Sequence, residues 1–282
     1  MLQKEQLGQM ATQVRRDVIR MIHSAKSGHT GGSLGCADFM TVLYFNVLEH
    51  DAKTFRTDGK GQDVFFLSNG HIAPVWYSVL ARTGYFPVPE LGTLRKLGSR
   101  LQGHPSISHH LPGIRIASGS LGQGMSNAIG MALAKKMDGD RHLVYSLHGD
   151  GELEEGQIWE AAMFAGAKKV DNLVSVVDCN GLQIDGAVKD VMDLGDLRAK
   201  FESFAWKVLE MNGNDVVEVE NVLRQAKGLC GQGRPVMILM RTEMGHGVDF
   251  MRNLAKWHGT APNDEQAEAA LRQLPETGYG DY

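Results

Sequence analysis

Leu143-Val144-Tyr145-Ser146-Leu147-His148-Gly149-Asp150-Gly151 is an apolar, β-rich run that closes on a tight Gly-Asp-Gly turn. A second run of the same kind, Leu173-Val174-Ser175-Val176-Val177-Asp178-Cys179, closes on Asn180-Gly181. Both have the length and composition of buried strands, and Gln157 to Lys169 between them reads as a helix. Strand, helix and strand in that order form a crossover unit. Its strands run parallel, and their carboxyl ends share one edge of the sheet. In open α/β sheets, ligands bind beyond that edge.

An aspartate carboxylate and an asparagine amide oxygen at neighbouring strand ends suit Mg²⁺ or Ca²⁺, and Mg²⁺ completes its shell with water and phosphate oxygens. The expected ligand is therefore a metal-bound diphosphate. Asp-Gly and Asn-Gly are each ordinary turn dipeptides, so the argument rests on their pairing at the spacing of one crossover.

Upstream, Leu7 to Ala25 reads as an amphipathic helix with Val14, Val18, Met21 and Ile22 on one face. Cys36 to Leu48 reads as a helix, Asp63 to Leu67 as a short buried strand, and Pro74 to Thr83 as a helix. The stretch from Phe86 to Arg115 is broken by Pro87, Pro89, Pro105 and Pro112. Gly122 to Met137 carries Gly122, Ser126, Gly130 and Ala134 along one side and reads as a buried, closely packed helix. Downstream, strands are expected at Lys207 to Met211 and Val236 to Met240, with a helix from Val217 to Lys227 between them. A last short helix is expected from Asp264 to Leu274. This alternation indicates an α/β fold, with a mainly parallel sheet and helices on both faces. No repeat or linker divides the chain, so residues 1–282 are read as one domain with a peripheral tail after about 262.

Apolar residues make up 43% of the 282 and charged residues 22%, and the formal charge is −4. Such a balance fits a globular protein and gives no electrostatic case for nucleic acid or an anionic membrane. The start of the chain lacks the apolar core of a signal peptide, and no run of about 18 apolar residues occurs. Cys36, Cys179 and Cys230 are too scattered for a metal or redox pair, which fits reduced thiols and a cytoplasmic location.

The stretch from Gly149-Asp150-Gly151-Glu152-Leu153-Glu154-Glu155-Gly156 to Asp178-Cys179-Asn180-Gly181-Leu182 resembles the thiamine diphosphate motif in its transketolase form. Ser27-Gly28-His29, Ser68-Asn69-Gly70-His71, Gly103-His104-Pro105, Ser118-Gly119-Ser120-Leu121-Gly122-Gln123-Gly124 and Trp257-His258-Gly259 match the same family in the same order. The resemblance covers nearly the whole chain and implies a diphosphate-binding domain. It stops where a full-length transketolase would be less than half complete, which implies the N-terminal subunit of a split enzyme.

By that resemblance, Asp150, Asn180 and the carbonyl of Leu182 hold Mg²⁺ or Ca²⁺ on thiamine diphosphate, with Gly149 and Gly151 forming the turn. His71 lies by the diphosphate, Gly119 and Leu121 meet the cofactor's rings, and His29, His104 and His258 act on the sugar. Histidine suits proton exchange with hydroxyls because its unperturbed pKa is about 6.5. Glu155 belongs to the cofactor site and, with Glu160, to a network of acids between paired active sites. Both also fit the bland reading of acids favoured near a helix start. Ser120 stands where many members have Pro, and Arg241 and His246 depart modestly from the family pattern.

The same resemblance implies a partner, a C-terminal subunit with the pyrimidine-binding and third domains, in an α2β2 assembly. The implied reaction transfers a two-carbon ketol unit from a ketose or ketose phosphate to an aldose or aldose phosphate. Two alternatives stay open on sequence alone: the α subunit of a 2-oxoacid dehydrogenase or decarboxylase, and a non-catalytic, cofactor-binding regulatory relative.

Overall fold

A computed structural model describes residues 1–282. Seven strands occur along the chain: β1 (Val64–Leu67), β2 (Val144–Gly149), β3 (Leu173–Cys179), β4 (Leu182–Gln183), β5 (Gly186–Ala187), β6 (Lys207–Asn212) and β7 (Val236–Arg241). Five form an all-parallel sheet in the order β1-β2-β3-β7-β6, and β4 and β5 pair as a small antiparallel hairpin just past β3. Gly149 at the end of β2 stands opposite Asp178 of β3, so the two turns singled out in the sequence emerge side by side.

Ten helices accompany the strands: α1 (Lys4–Ala25), α2 (Thr30–Gly35), α3 (Ala37–Val42), α4 (Ala73–Arg82), α5 (Gly124–Met137), α6 (Gly156–Ala167), α7 (Val188–Met192), α8 (Leu197–Ser203), α9 (Val216–Leu229) and α10 (Asp264–Gln273). Successive strand residues point to opposite faces, and here both faces are apolar. Phe65, Leu67, Tyr145, Leu147, Val174, Val176 and Ile238 join the core made with α1, α3, α4 and α9. Val64, Phe66, Val144, Leu173, Val177, Met237 and Leu239 join the core made with α5, α6 and α8. Helices cover both faces, as a parallel sheet requires.

Helix α3 ends earlier than the sequence suggests, because Leu43–Val47 continues as a π-helical turn. Helix α5 corrects a more specific expectation. It buries Met125, Ala128, Ile129 and Ala132, while Ser126, Gly130 and Ala134 face outward and Gly122 lies in the preceding loop. The larger apolar side chains fill the space against the sheet and turn the small-residue stripe away from it.

Charges are buried in two places away from the strand carboxyl ends. On α1, Asp17 accepts hydrogen bonds from Arg82 and Ser78, while Arg16 meets Asp281 at 2.6 Å. Residues after α10 thus return to the first helix. At the amino edge of the sheet, Lys135 is 3% exposed and donates to Asp140 at 2.7 Å and to the carbonyls of Gly59 and Gln62. No helix is long and apolar enough to cross a membrane.

Candidate active site

The strand carboxyl ends deliver three turns to one place. After β1 come Ser68, Asn69, Gly70 and His71; at the end of β2, Gly149 to Gly151; after β3, Asn180 to Leu182. The turn after β1 is pressed against a fourth segment, residues 118–124. A Cβ on Gly70 would lie 2.2 Å from the Ser118 carbonyl oxygen, and one on Gly124 would lie 2.3 Å from the Ser68 Cβ. Only glycine permits such approaches.

His29, His71, His104, His258, Gly119, Leu121, Gly149, Asp150, Gly151, Asn180 and Leu182, drawn from all along the sequence, line a single cavity of about 280 Å³. Glu155 and Glu160 do not. Both are exposed, Glu155 just ahead of α6 and Glu160 within it.

Asp150 and Asn180 are fixed by reciprocal bonds. The Asp150 carboxylate accepts the Gly181 amide at 2.6 Å and the Gly151 amide at 2.9 Å. The Asn180 amide nitrogen donates to Asp178 at 2.8 Å, which leaves its oxygen to accept the Leu182 amide at 2.9 Å and to face outward with its remaining lone pair. Asp178 is itself buried and accepts from the Thr242 hydroxyl as well as from Asn180. Burial, then the nearby Asp178 charge, push the Asp150 carboxyl up to about 7 against the Gly181 and Gly151 amides. A divalent cation beside it would reverse that shift.

The four histidines form a cluster, with ring centroids 5.0 Å apart for His29 and His71, 5.6 Å for His29 and His258, and 6.1 Å for His29 and His104. Burial, then His258, His104 and Arg95, lower the His29 pKa to about 4. Burial likewise lowers His71, His104 and His258, with Asp185 opposing it at His258. All four rings are therefore neutral at pH 7, each with one nitrogen to donate and one to accept.

Several buried polar atoms here have no partner within the chain: Nδ1 of His29 and of His258, Oδ1 of Asn69 and Oε1 of Gln183. Buried polar groups are normally hydrogen-bonded, so these are places a polar ligand would satisfy. Thiamine diphosphate with a divalent metal fits this donor set. Asp150, Asn180 and the Leu182 carbonyl are hard oxygen ligands; Leu121, Ile72 and Ile184 give apolar surface for rings; the neutral histidines supply N–H donors. No group of three or more His, Cys, Asp and Glu side chains is arranged to hold a metal unaided. One carboxylate and neutral oxygens suit an ion that arrives with its own phosphates.

Asn69, Gln183, Glu152 and Asp178 also line the cavity and are absent from the set of site residues that the sequence suggests. Asp178 lies inside an apolar strand, Gln183 follows a turn, and nothing in their spacing distinguishes them.

The family described as the thiamine diphosphate binding domain of transketolase matches residues 7–279. The chain is 38% identical over 276 residues to an apulose-4-phosphate transketolase subunit of Phocaeicola vulgatus, covering 98% of this chain and 96% of that protein. It is 37% identical over 276 residues to the 6-deoxy-6-sulfo-D-fructose transketolase subunit SqwG of a Clostridium species, covering 98% of each. Among solved structures, the transketolase of Campylobacter jejuni superposes with a TM-score of 0.89 at 33% identity over 97% of this chain. The chain spans 43% of that longer protein.

Proposed function

This chain belongs to the transketolase family through its thiamine diphosphate-binding domain, and from that premise we propose that it is the N-terminal subunit of a two-chain transketolase. The observation that carries the reading is the convergence of Asp150, Asn180 and four neutral histidines in one cavity at the carboxyl ends of parallel strands. Matching relatives that are themselves named as transketolase subunits favour it over an oxoacid dehydrogenase subunit.

In this proposal residues 1–282 act as a single cofactor-binding domain. Asp150, Asn180 and the Leu182 carbonyl hold Mg²⁺ on the diphosphate, and His71 donates to a diphosphate oxygen. Thiamine diphosphate, when bound, supplies the nucleophilic carbon and electron sink that two-carbon transfer requires. His29, His104 and His258 bind and orient the sugar hydroxyls and exchange protons with them. Kept neutral by burial, each ring has one nitrogen to donate and one to accept, as exchange with a hydroxyl requires. Glu155 and Glu160, free on the surface, remain available for an acid network across a subunit contact.

The partner in this proposal is a C-terminal subunit carrying the pyrimidine-binding and third domains, in an α2β2 complex in the cytoplasm. The substrates are ketose and aldose phosphates of carbohydrate metabolism. The test is a two-carbon transfer assay with thiamine diphosphate, Mg²⁺ and a panel of ketose phosphates, on this chain alone and with the protein that co-purifies with it. Transfer is expected only in the mixture. A stable, cofactor-loaded mixture that transfers nothing from any ketose would overturn the reading.

A further inference from the structure

Glu152 is 3% exposed, and no lysine or arginine pairs with it. Its charge is met by neutral donors from three separate segments. Oε1 accepts the Gly122 amide at 2.7 Å and the Ser68 hydroxyl, and Oε2 accepts the Gly149 amide at 3.0 Å. The Ser68 oxygen in turn accepts the Gly124 amide at 3.0 Å. The nearest cationic candidate, Nδ1 of His148, lies 3.9 Å away, beyond hydrogen-bond reach.

The contact to Gly149 is local, but Gly122 is 30 positions away in sequence and Ser68 is 84. Each partner adjoins cavity residues: Gly149 precedes Asp150, Gly122 follows Leu121 and Gly119, and Ser68 precedes Asn69 and His71. One carboxylate therefore ties the metal turn, the glycine-rich loop and the first histidine turn together. A buried carboxylate is tolerable only with such full hydrogen bonding, so the three segments and the charge depend on one another.

We infer that Glu152 is a positioning residue that sets the spacing between the metal-binding turn and the glycine-rich loop of the cofactor cavity. The inference rests on the cofactor reading above. Glutamine at 152 keeps the volume but replaces one acceptor oxygen with an NH₂ group that must face an N–H donor, so one of the two loops comes loose. Serine 68 replaced by alanine removes a donor and leaves the carboxylate in place.

The test uses the full chain at a temperature where each variant is folded by circular dichroism. Hydrogen exchange is followed in peptides containing Gly122 and Gly149, with α9 as the control, and Mg²⁺-dependent thiamine diphosphate binding is measured by calorimetry. Glu152→Gln is expected to speed exchange in the two loops but not in α9, and to weaken binding about 10- to 100-fold, as for other groups that support metal ligands. Ser68→Ala is expected to weaken binding by about threefold or more, with the same loop-confined exchange. Folded Glu152→Gln that binds within twofold of the wild type, or whose loop exchange is unchanged, overturns the inference. Should Glu152→Gln fail to fold, Ser68→Ala decides by the same criteria. Binding is measured with the co-purifying partner subunit present; a wild-type mixture that binds no cofactor would overturn the cofactor reading instead, and loop exchange alone would then judge whether Glu152 ties the segments.

Discussion

Asp140 and Asp150 stand near opposite ends of β2 and are held in opposite ways. Burial opposes ionisation of Asp140, but hydrogen bonds from the Lys135 and His142 side chains and from the His142 and Gly61 amides outweigh it and hold the carboxyl well below the ordinary range. Asp150 has only backbone amides for company and a second buried acid, Asp178, nearby, and its pKa rises to about 7. The amino edge of the sheet satisfies its own charges, although the neutral Tyr145 hydroxyl and Asn172 oxygen there lack partners. The carboxyl edge leaves a carboxylate that only an outside cation would settle. The first arrangement stabilises the fold, and the second gives up stability to prepare a binding site.

The sharpest way to break this contrast is Asp150→Ala. It is expected to lower Mg²⁺-dependent diphosphate binding by about 100-fold or more, at or beyond the upper end of what loss of a group that merely supports a ligand costs, while the melting temperature of the ligand-free chain stays level or rises. Calorimetry and thermal denaturation of one preparation check both halves. A large drop in melting temperature would place Asp150 with the structural acids.

Asp140→Asn is expected to do the reverse. It weakens the only charged partner of buried Lys135 and should cost about 2–3 kcal/mol, a fall in melting temperature of about 4–12 °C for a chain of this size, with diphosphate binding unchanged. Equal melting curves would show the pair to be idle.

The third contrast is a pH dependence. Asp150 titrates near 7 in the folded chain, against an ordinary value of 3.8, so between those values the native state binds the proton more tightly. The stability that Asp150 contributes is present below about 3.8 and is lost as pH rises through about 7. Asp150→Asn should therefore gain on the wild type by up to about 4 kcal/mol, on the order of 10 °C, as pH rises from 4 to 7 and hold constant above. The offset of Asp140→Asn should stay flat across that window, because a depressed carboxyl loses its contribution only at lower pH. Melting curves at half-unit pH steps without metal make the comparison; parallel profiles would remove the distinction.

Much of this layout is legible in the sequence. β3 runs from Leu173 to Cys179 as its composition requires, and the crossover alone places Asp150 beside Asn180. Less legible are elements whose local propensity points elsewhere. α2 is Thr30–Gly35, a six-residue helix with three glycines, formed where the chain packs so tightly that a Cβ on Gly31 would lie 2.5 Å from Met244; tertiary contact overrides propensity there. The hairpin of β4 and β5 has two residues per strand, too few for any alternation to register. Glu152 carries no signal that sets it above Glu155 and Glu160, because an acid after a turn looks the same whether its partners are water or three distant loops. Only long-range hydrogen bonds separate those cases, and a linear pattern does not contain them.

Helix α1 has one further consequence, for the order in which the protein is made. Arg16 and Arg20 leave the ribosome long before the groups they meet, since Asp281 and the Tyr282 carbonyl follow 265 and 262 positions later. At about 5–20 residues per second, that interval is on the order of tens of seconds. Throughout it α1 is held to α3 and α4 by its apolar face, by Arg15 on Asp38 and by Asp17 on Arg82 and Ser78, while the guanidinium groups of Arg16 and Arg20 are answered by water. The Arg16 and Arg20 latch on α1 is thus open until residues 281 and 282 have emerged, and a product stalled or cut before them would carry α1 without it.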